Sequence, residues 1–243
     1  MDNVTAAKYL IKSLDLTSLN HNDTQETITD LCHRAGTRYG RTAAVCIYPE
    51  FIPVALNEAP EGVKIATVVN FPEGGADLKA VEKEIKKAVK AGADEIDAVL
   101  PYTALLSGDE AACRSFLDMC RETCAEKTLK IIIESGELKS TSLIKKASQI
   151  CIESKADFIK TSTGKTPVSA TPEAANAILE VIKASGTDTG FKASGGIKTT
   201  EDAKKYLTLT TVILGQSWAS PSRFRIGASS VLTDLIKTIE QGY

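Results

Sequence analysis

Phe158-Ile159-Lys160-Thr161-Ser162 reads as a short strand with a lysine at its centre. It lies between two stretches with helical periodicity, Ser140–Ser154 and Thr171–Ser185. Seven similar runs recur along the chain: Leu14–Thr17, Ala43–Tyr48, Ile65–Val69, Glu95–Leu100, Leu129–Glu134, Gly190–Ser194 and Thr211–Leu214. The intervening stretches are rich in Ala, Lys and Glu. In Asp77–Ala91, Leu78, Val81, Ile85 and Ala88/Val89 fall on one face, while lysines and glutamates cover the other. Asp109–Glu126 and Ser229–Gln241 read the same way, and several of these stretches open on Asp, Ser or Thr as helix caps. Strand and helix alternating in this way predict an α/β protein, a (β/α)8 TIM barrel with an extra N-terminal helix. A doubly wound open sheet is the competing arrangement, but it commonly carries a Gly-rich turn after its first strand, which this sequence lacks.

The chain has 243 residues, close to the size of one such barrel, and no Pro/Ser-rich linker, so residues 1–243 read as a single domain. Apolar residues make up 43% and charged residues 25%, enough to bury a sizeable core. With 29 basic and 31 acidic residues intermixed, no electrostatic footprint for nucleic acid or an anionic membrane surface is expected. No apolar run approaches the ~20 residues needed to cross a bilayer, and no leader pattern opens the sequence. The six cysteines form no CxxC pair and read as free thiols of a reducing, cytoplasmic protein. A metal site is not expected, since both histidines, His21 and His33, fall in an early region read as helical.

Parallel barrel strands are buried on both faces and should be almost uninterruptedly apolar. Several here are not. Alternation places Asp97 opposite the helix-packing face of Ile96, Ala98 and Leu100. It groups Lys160 with Phe158 and Ser162, Lys192 with Gly190 and Ser194, and Lys130 with Glu134. Asp15 and Thr17 share a face of the first strand, and Cys46 sits on the Ala44/Tyr48 face of the second. One buried charge could be a side chain reaching past the strand end to water. Several on different strands imply a polar chamber at the barrel mouth, because unpaired burial costs several kcal/mol per charge.

Two lysines and an aspartate in such a chamber suit Schiff-base chemistry. An ordinary lysine is neutral in only about one molecule in 2,500 at pH 7. Burial or a neighbouring ammonium raises that fraction, and a neutral amine attacks a carbonyl to form an iminium, which acts as an electron sink for C–C bond cleavage. Lys160 and Lys192 offer one nucleophile and one cation to depress its pKa, with Asp97 as a proton relay. The pattern does not say which lysine is which, and the chemistry calls for no cofactor. Lys165 follows a loop sequence and is expected to touch substrate or solvent.

A second theme is anion binding. Ser194-Gly195-Gly196 follows the seventh strand, and Gly227-Ala228-Ser229-Ser230 is read as opening the last helix. Barrels often bind phosphate between these loops, using backbone N–H groups and a helix start. Thr163 and Gly164 could complete the cradle.

The motifs together resemble the deoxyribose-phosphate aldolase family of class I, Schiff-base-forming aldolases, over essentially the whole chain. They include Asp15-Leu16-Thr17, Thr42–Pro49, Asn70-Phe71-Pro72-Glu73-Gly74, Gly92–Asp97 and Ile133–Leu138. The most specific is Ala156–Gly164, followed by Phe191–Ile197 and Arg225–Ser230. The resemblance implies reversible cleavage of 2-deoxy-D-ribose 5-phosphate to D-glyceraldehyde 3-phosphate and acetaldehyde. It implies Lys160 as the Schiff-base lysine, Lys192 as its pKa-lowering partner and Asp97 as the relay acid. Cys46 matches a cysteine near the substrate in that family, and Tyr243 matches a terminal tyrosine that assists proton transfer. The loops Asn57–Val63 and Leu214–Trp218 depart from the family pattern and bear on the dimer surface or the stability, which leaves both a monomer and a homodimer open. Two rival readings remain: a phosphosugar isomerase or epimerase with Asp97 or Glu134 as base, and a non-catalytic phosphometabolite-binding barrel.

Overall fold

A computed structural model describes residues 1–242; Tyr243 lies outside the described residues. The barrel strands are β1 Leu14–Thr17, β2 Ala44–Ile47, β3 Lys64–Val69, β4 Glu95–Val99, β5 Thr128–Ile132, β6 Phe158–Lys160, β7 Gly190–Ser194 and β8 Phe224–Ala228, and Gly36–Thr37 and Gly40–Arg41 form a separate antiparallel pair. The barrel strands pair in parallel in sequence order, and β8 closes on β1 to complete the barrel. Helix α1, Asn3–Lys12, precedes β1 and packs on the last two helices, α10 (Thr200–Leu214) and α11 (Val231–Gln241). The barrel and the extra N-terminal helix are therefore as expected. No helix among the described residues is long and apolar enough to cross a membrane.

Alternation along the strands sorts the side chains. Leu14, Leu16, Val45, Ile47, Ile96, Ala98, Leu129, Ile131, Ile159, Phe191, Ala193, Phe224 and Ile226 face outward into one continuous apolar layer beneath the helices. Ala44, Cys46, Ala66 and Val68 face inward and form a separate small cluster with Leu19. The barrel wall divides the two layers. The helices that cover it begin where capping chemistry places them. Asp77, Asp109, Ser140 and Thr171 each accept a backbone N–H from the first turn of the following helix.

One strand is not where the sequence pattern puts it. Thr211–Leu214, expected as the eighth strand, is the last turn of α10, and Val212 there is 76% exposed. A barrel strand covered by helices would bury it. The run is rich in β-branched residues, but the helix started at the Thr199 cap simply continues through it. The true β8 contains an arginine and a glycine that mask its alternation. Gly227 and Ala228 consequently end a strand rather than opening a helix, and α11 starts at Val231. Of the two histidines read as helical, His33 lies in α2 (Gln25–Arg34), while His21 lies in the turn before it.

At Gly190 the Phe158 ring crosses the inner face of β7. A Cβ there would lie 2.6 Å from that ring and 2.8 Å from the Arg223 carbonyl oxygen. We therefore expect Gly190→Ala to destabilise the fold by about 1–3 kcal/mol through overpacking, read as a lower urea midpoint by circular dichroism; an unchanged midpoint would show that the ring yields freely.

Candidate active site

Adjacent strands bring the predicted residues together. Lys160 at the end of β6 is the register partner of Lys192 on β7, and Asp97 on β4 is the partner of Lys130 on β5. All four point into the barrel. Asp97 Oδ2 accepts hydrogen bonds from Lys160 Nζ and Lys192 Nζ, both at 2.8 Å, and Oδ1 accepts from Lys130 Nζ at 2.7 Å. Asp15 on β1 accepts from Lys192 at 2.5 Å and lies 3.5 Å from Lys130. Asp97, Lys130, Lys192 and Asp15 are shut off from solvent, and Lys160 is 2% exposed. The polar chamber is real, and its charges are paired inside it.

Two members of this network were not singled out from the sequence. Arg225 on β8 donates to Asp15 Oδ1 at 2.6 Å and to Glu95 Oε1 at 3.1 Å, and Glu95 on β4 lies 2.6 Å from Lys130. Both were detectable. Glu95 is two residues before Asp97 on the same inward face, and Arg225 has the same relation to Gly227. Arg225 belongs to β8, the strand that the sequence pattern does not mark.

Counting across the cluster, Lys130, Lys160, Lys192 and Arg225 face Asp15, Glu95 and Asp97. Four basic groups thus oppose three carboxylates. A dry site disfavours net charge, so the amine with the fewest partners is the one most readily left neutral. Lys130 has three carboxylates nearby, Lys192 two, and Lys160 only Asp97. Burial lowers the proton affinity of Lys160; Asp97 opposes this and Lys192 adds to it, and the net direction is down. For Lys192 burial acts the same way, but Asp15 and Asp97 outweigh it and the net direction is up. Lys130 likewise ends well above an ordinary lysine, held by Asp97, Glu95 and Asp15 against burial. Asp97 is held well below the usual carboxylate range, because its three lysines override the cost of burial. Cys46 is buried beside these groups, and burial pushes its thiol up.

Above the cluster, at the C-terminal ends of β1, β6, β7 and β8, a cleft of about 230 Å³ opens. It is lined by Thr17, Thr163, Gly164, Gly195, Gly196, Gly227, Ser229 and Ser230, and also by Asn20, Lys165 and Lys198. Gly195 and Gly196 have φ of +87° and +77°, which turns the chain sharply after β7. A Cβ on Gly195 would meet Ser169 at 2.6 Å. The cap residue of α11, Ser230, makes no side-chain bond to that helix, unlike the caps of the other helices longer than seven residues. Its first N–H groups are not occupied by a cap. Lys165 Nζ donates to the Leu19 carbonyl at 2.6 Å across the cleft, and Thr17 Oγ1 donates to the Asp15 carbonyl at 2.8 Å. Asp15, Cys46, Asp97, Lys130, Lys160 and Lys192 lie beneath this cleft and are not part of its lining.

Glu134 is not part of the ion cluster, although alternation grouped it with Lys130. It takes a left-handed backbone (φ +49°) just past β5 and accepts from Thr163 Oγ1 at 2.5 Å and Thr166 Oγ1 at 3.3 Å. Its carboxylate anchors the loop after Lys160 and is bound to hydroxyl donors rather than to the lysines.

Comparison with known proteins agrees with this geometry. Residues 9–230 match the model of the DeoC/LacD family aldolases. The chain is 28% identical to the aldolase QR15, with a TM-score of 0.83 over 96% of this chain and 97% of that one. A protein from Coccidioides immitis, provisionally assigned as a deoxyribose-phosphate aldolase, is 26% identical, with a TM-score of 0.84 over 96% and 86% of the two chains. The tetrameric deoxyribose phosphate aldolase from Aeropyrum pernix shares the fold at 23% identity, with a TM-score of 0.76 over 100% and 98%. This chain belongs to the DeoC/LacD aldolase family and is an aldolase, a carbon–carbon lyase built on a (β/α)8 barrel.

Proposed function

We propose that this aldolase reversibly cleaves 2-deoxy-D-ribose 5-phosphate to D-glyceraldehyde 3-phosphate and acetaldehyde through a Schiff base on Lys160. The observation that carries this reading is the excess of one basic group over carboxylates in a dry cluster, with Lys160 the least paired amine. Neutral Lys160 attacks the C1 aldehyde, and loss of water leaves an iminium. The C2–C3 bond then breaks as the C3 hydroxyl loses its proton, and its electrons pass into the iminium to form an enamine. Asp97, within hydrogen-bond reach of both Lys160 and Lys192, relays protons together with Lys192 as the enamine is protonated and the iminium hydrolysed. Every electron pair stays within substrate and lysine.

The cleft suits the phosphate end. Gly164, Gly195, Gly196, Gly227, Ser229 and Ser230 offer backbone and hydroxyl donors around the uncapped start of α11, where the helix dipole favours an anion. Thr163 and Lys165 line the same cleft, on the loop that follows Lys160. The alternatives are less well served. An isomerase would need Asp97 or Glu134 as a free base, yet one is bound by three lysines and the other by threonine hydroxyls. Six free, buried thiols support operation in a reducing compartment, the cytoplasm. The tetrameric Aeropyrum pernix relative supports association between copies, with a homodimer as the expected minimum; sedimentation at a monomer mass would remove that part.

Incubation with acetaldehyde and borohydride should add mass to the peptide carrying Lys160. Lys160→Ala should lose turnover by about 10⁴-fold or more while inorganic phosphate binding persists; an adduct on another lysine would refute the assignment. Lys192→Leu removes a cation and frees Asp97 to pair more strongly with Lys160, so Lys160 should keep its proton to higher pH. The acid limb of the kcat/KM profile should then move upward. Ser229→Asp should raise KM for the phosphorylated sugar about tenfold or more by like-charge repulsion, with unphosphorylated 2-deoxyribose spared. An equal effect on both sugars would place the phosphate elsewhere.

A further inference from the structure

The ion cluster extends below the groups that can meet a substrate, and the reaction drawn above does not use its lowest members. Glu95 is the first residue of β4 and Arg225 the second of β8, at the N-terminal end of the barrel, opposite the mouth where the cleft opens. Yet both are almost fully buried, Arg225 at 7% and Glu95 at 3% exposure. The guanidinium bridges Asp15 and Glu95 and lies 5.5 Å from the centre of the Phe158 ring. From there an unbroken sequence of alternating charges rises through Asp15, Lys192 and Asp97 to Lys160. Lys130 cross-links it through Glu95, Asp97 and Asp15. Cys46 is the remaining titratable group against the upper part of this array.

We propose that Arg225 and Glu95 are electrostatic positioning residues: as a charge pair at the barrel floor, they set how many protons the three lysines above them hold, and so which amine is free to attack. The inference rests on Lys160 being the Schiff-base lysine. Arginine stays charged throughout the accessible pH range, so any proton the cluster sheds must come from a lysine. Without Arg225, three lysines face three carboxylates, and Lys160 has no reason to be neutral. Without the Glu95 charge, the cationic excess grows to two, and Lys160 sheds its proton more easily. A purely structural role would not move the two variants in opposite directions.

The magnitude follows from register. Arg225 pairs with Lys192, which pairs with Lys160, so Arg225 and Lys160 stand two strand spacings apart, roughly 10 Å. At an effective dielectric of about 20, one charge at that distance moves a titration by about one pH unit.

The test is the pH dependence of acetaldehyde–borohydride trapping at Lys160, mapped by peptide mass in full-length protein whose fold is checked by circular dichroism. Trapping should rise with pH in the wild type as the amine loses its proton. The midpoint should move up by about one unit in Arg225→Met and down by a similar amount in Glu95→Gln. It should return near wild type in Arg225→Lys, which keeps the charge, and in the double variant Arg225→Met/Glu95→Gln, which restores the balance. Midpoints that stay put, or move in the same direction, overturn the proposal while leaving Lys160 as the nucleophile. If Arg225→Met fails to fold, Glu95→Gln decides alone, a downward shift supporting the proposal and an unmoved midpoint overturning it. A wild-type adduct on a different lysine overturns both this inference and the reading it rests on.

Discussion

One buried carboxylate shared by three buried amines is the constraint on which the rest depends. Asp97 is bonded to Lys130, Lys160 and Lys192 and is shut off from solvent. In water such an arrangement would carry little energy; inside the barrel the same charges interact several-fold more strongly. Desolvation penalises every ammonium, and pairing rescues each in proportion to the carboxylates it reaches. Lys130 and Lys192 reach more than Lys160 does. The difference between the lysine proposed as nucleophile and the other two is therefore one of neighbours, since all three are the same residue type and all are buried.

The remainder of the interior is arranged around that cluster. The wall formed by β2 and β3 contributes only small apolar side chains, Ala44, Cys46, Ala66 and Val68, so water and rival ions gain no foothold on that side. Gly227 makes room on the other. A Cβ there would come within 2.9 Å of the Lys192 side chain and 2.7 Å of the Ser194 hydroxyl. Above, the local rules are relaxed in the way expected of functional sites. Glu134 has a left-handed backbone and anchors two threonines, two glycines turn back after β7, and α11 starts without a side-chain cap. The last two departures lie at the cleft, which Gly195, Gly196 and Ser230 line.

Much of this was legible in the chain, and the exceptions share a cause. Seven of the barrel strands, the capped helix starts and the inward set of Asp15, Cys46, Asp97, Lys130, Lys160 and Lys192 follow from period-two alternation and capping chemistry. The eighth strand was misplaced because the Arg225 and Gly227 positions, being the inward ones, remove the apolar signal that marks a strand, while Thr211–Leu214 mimics it. Glu95 escaped notice for a similar reason: at a strand edge, a glutamate looks like a solvated residue until its partner across the barrel is known. Glu134 was grouped with Lys130 by parity, but the backbone leaves the extended region just before it, and parity ceases to apply.

The architecture, the inward face of seven strands and the residue types available for chemistry are written in the chain, because they depend on periodicities encoded within a few neighbouring residues. Tertiary structure alone decided which charges meet. Closing the barrel brings β4, β5, β6, β7, β8 and β1 around one axis, so groups up to 210 positions apart, such as Asp15 and Arg225, come within hydrogen-bond distance. The proton count of a buried cluster is a property of the whole set of charges, so it exists only once the barrel has closed.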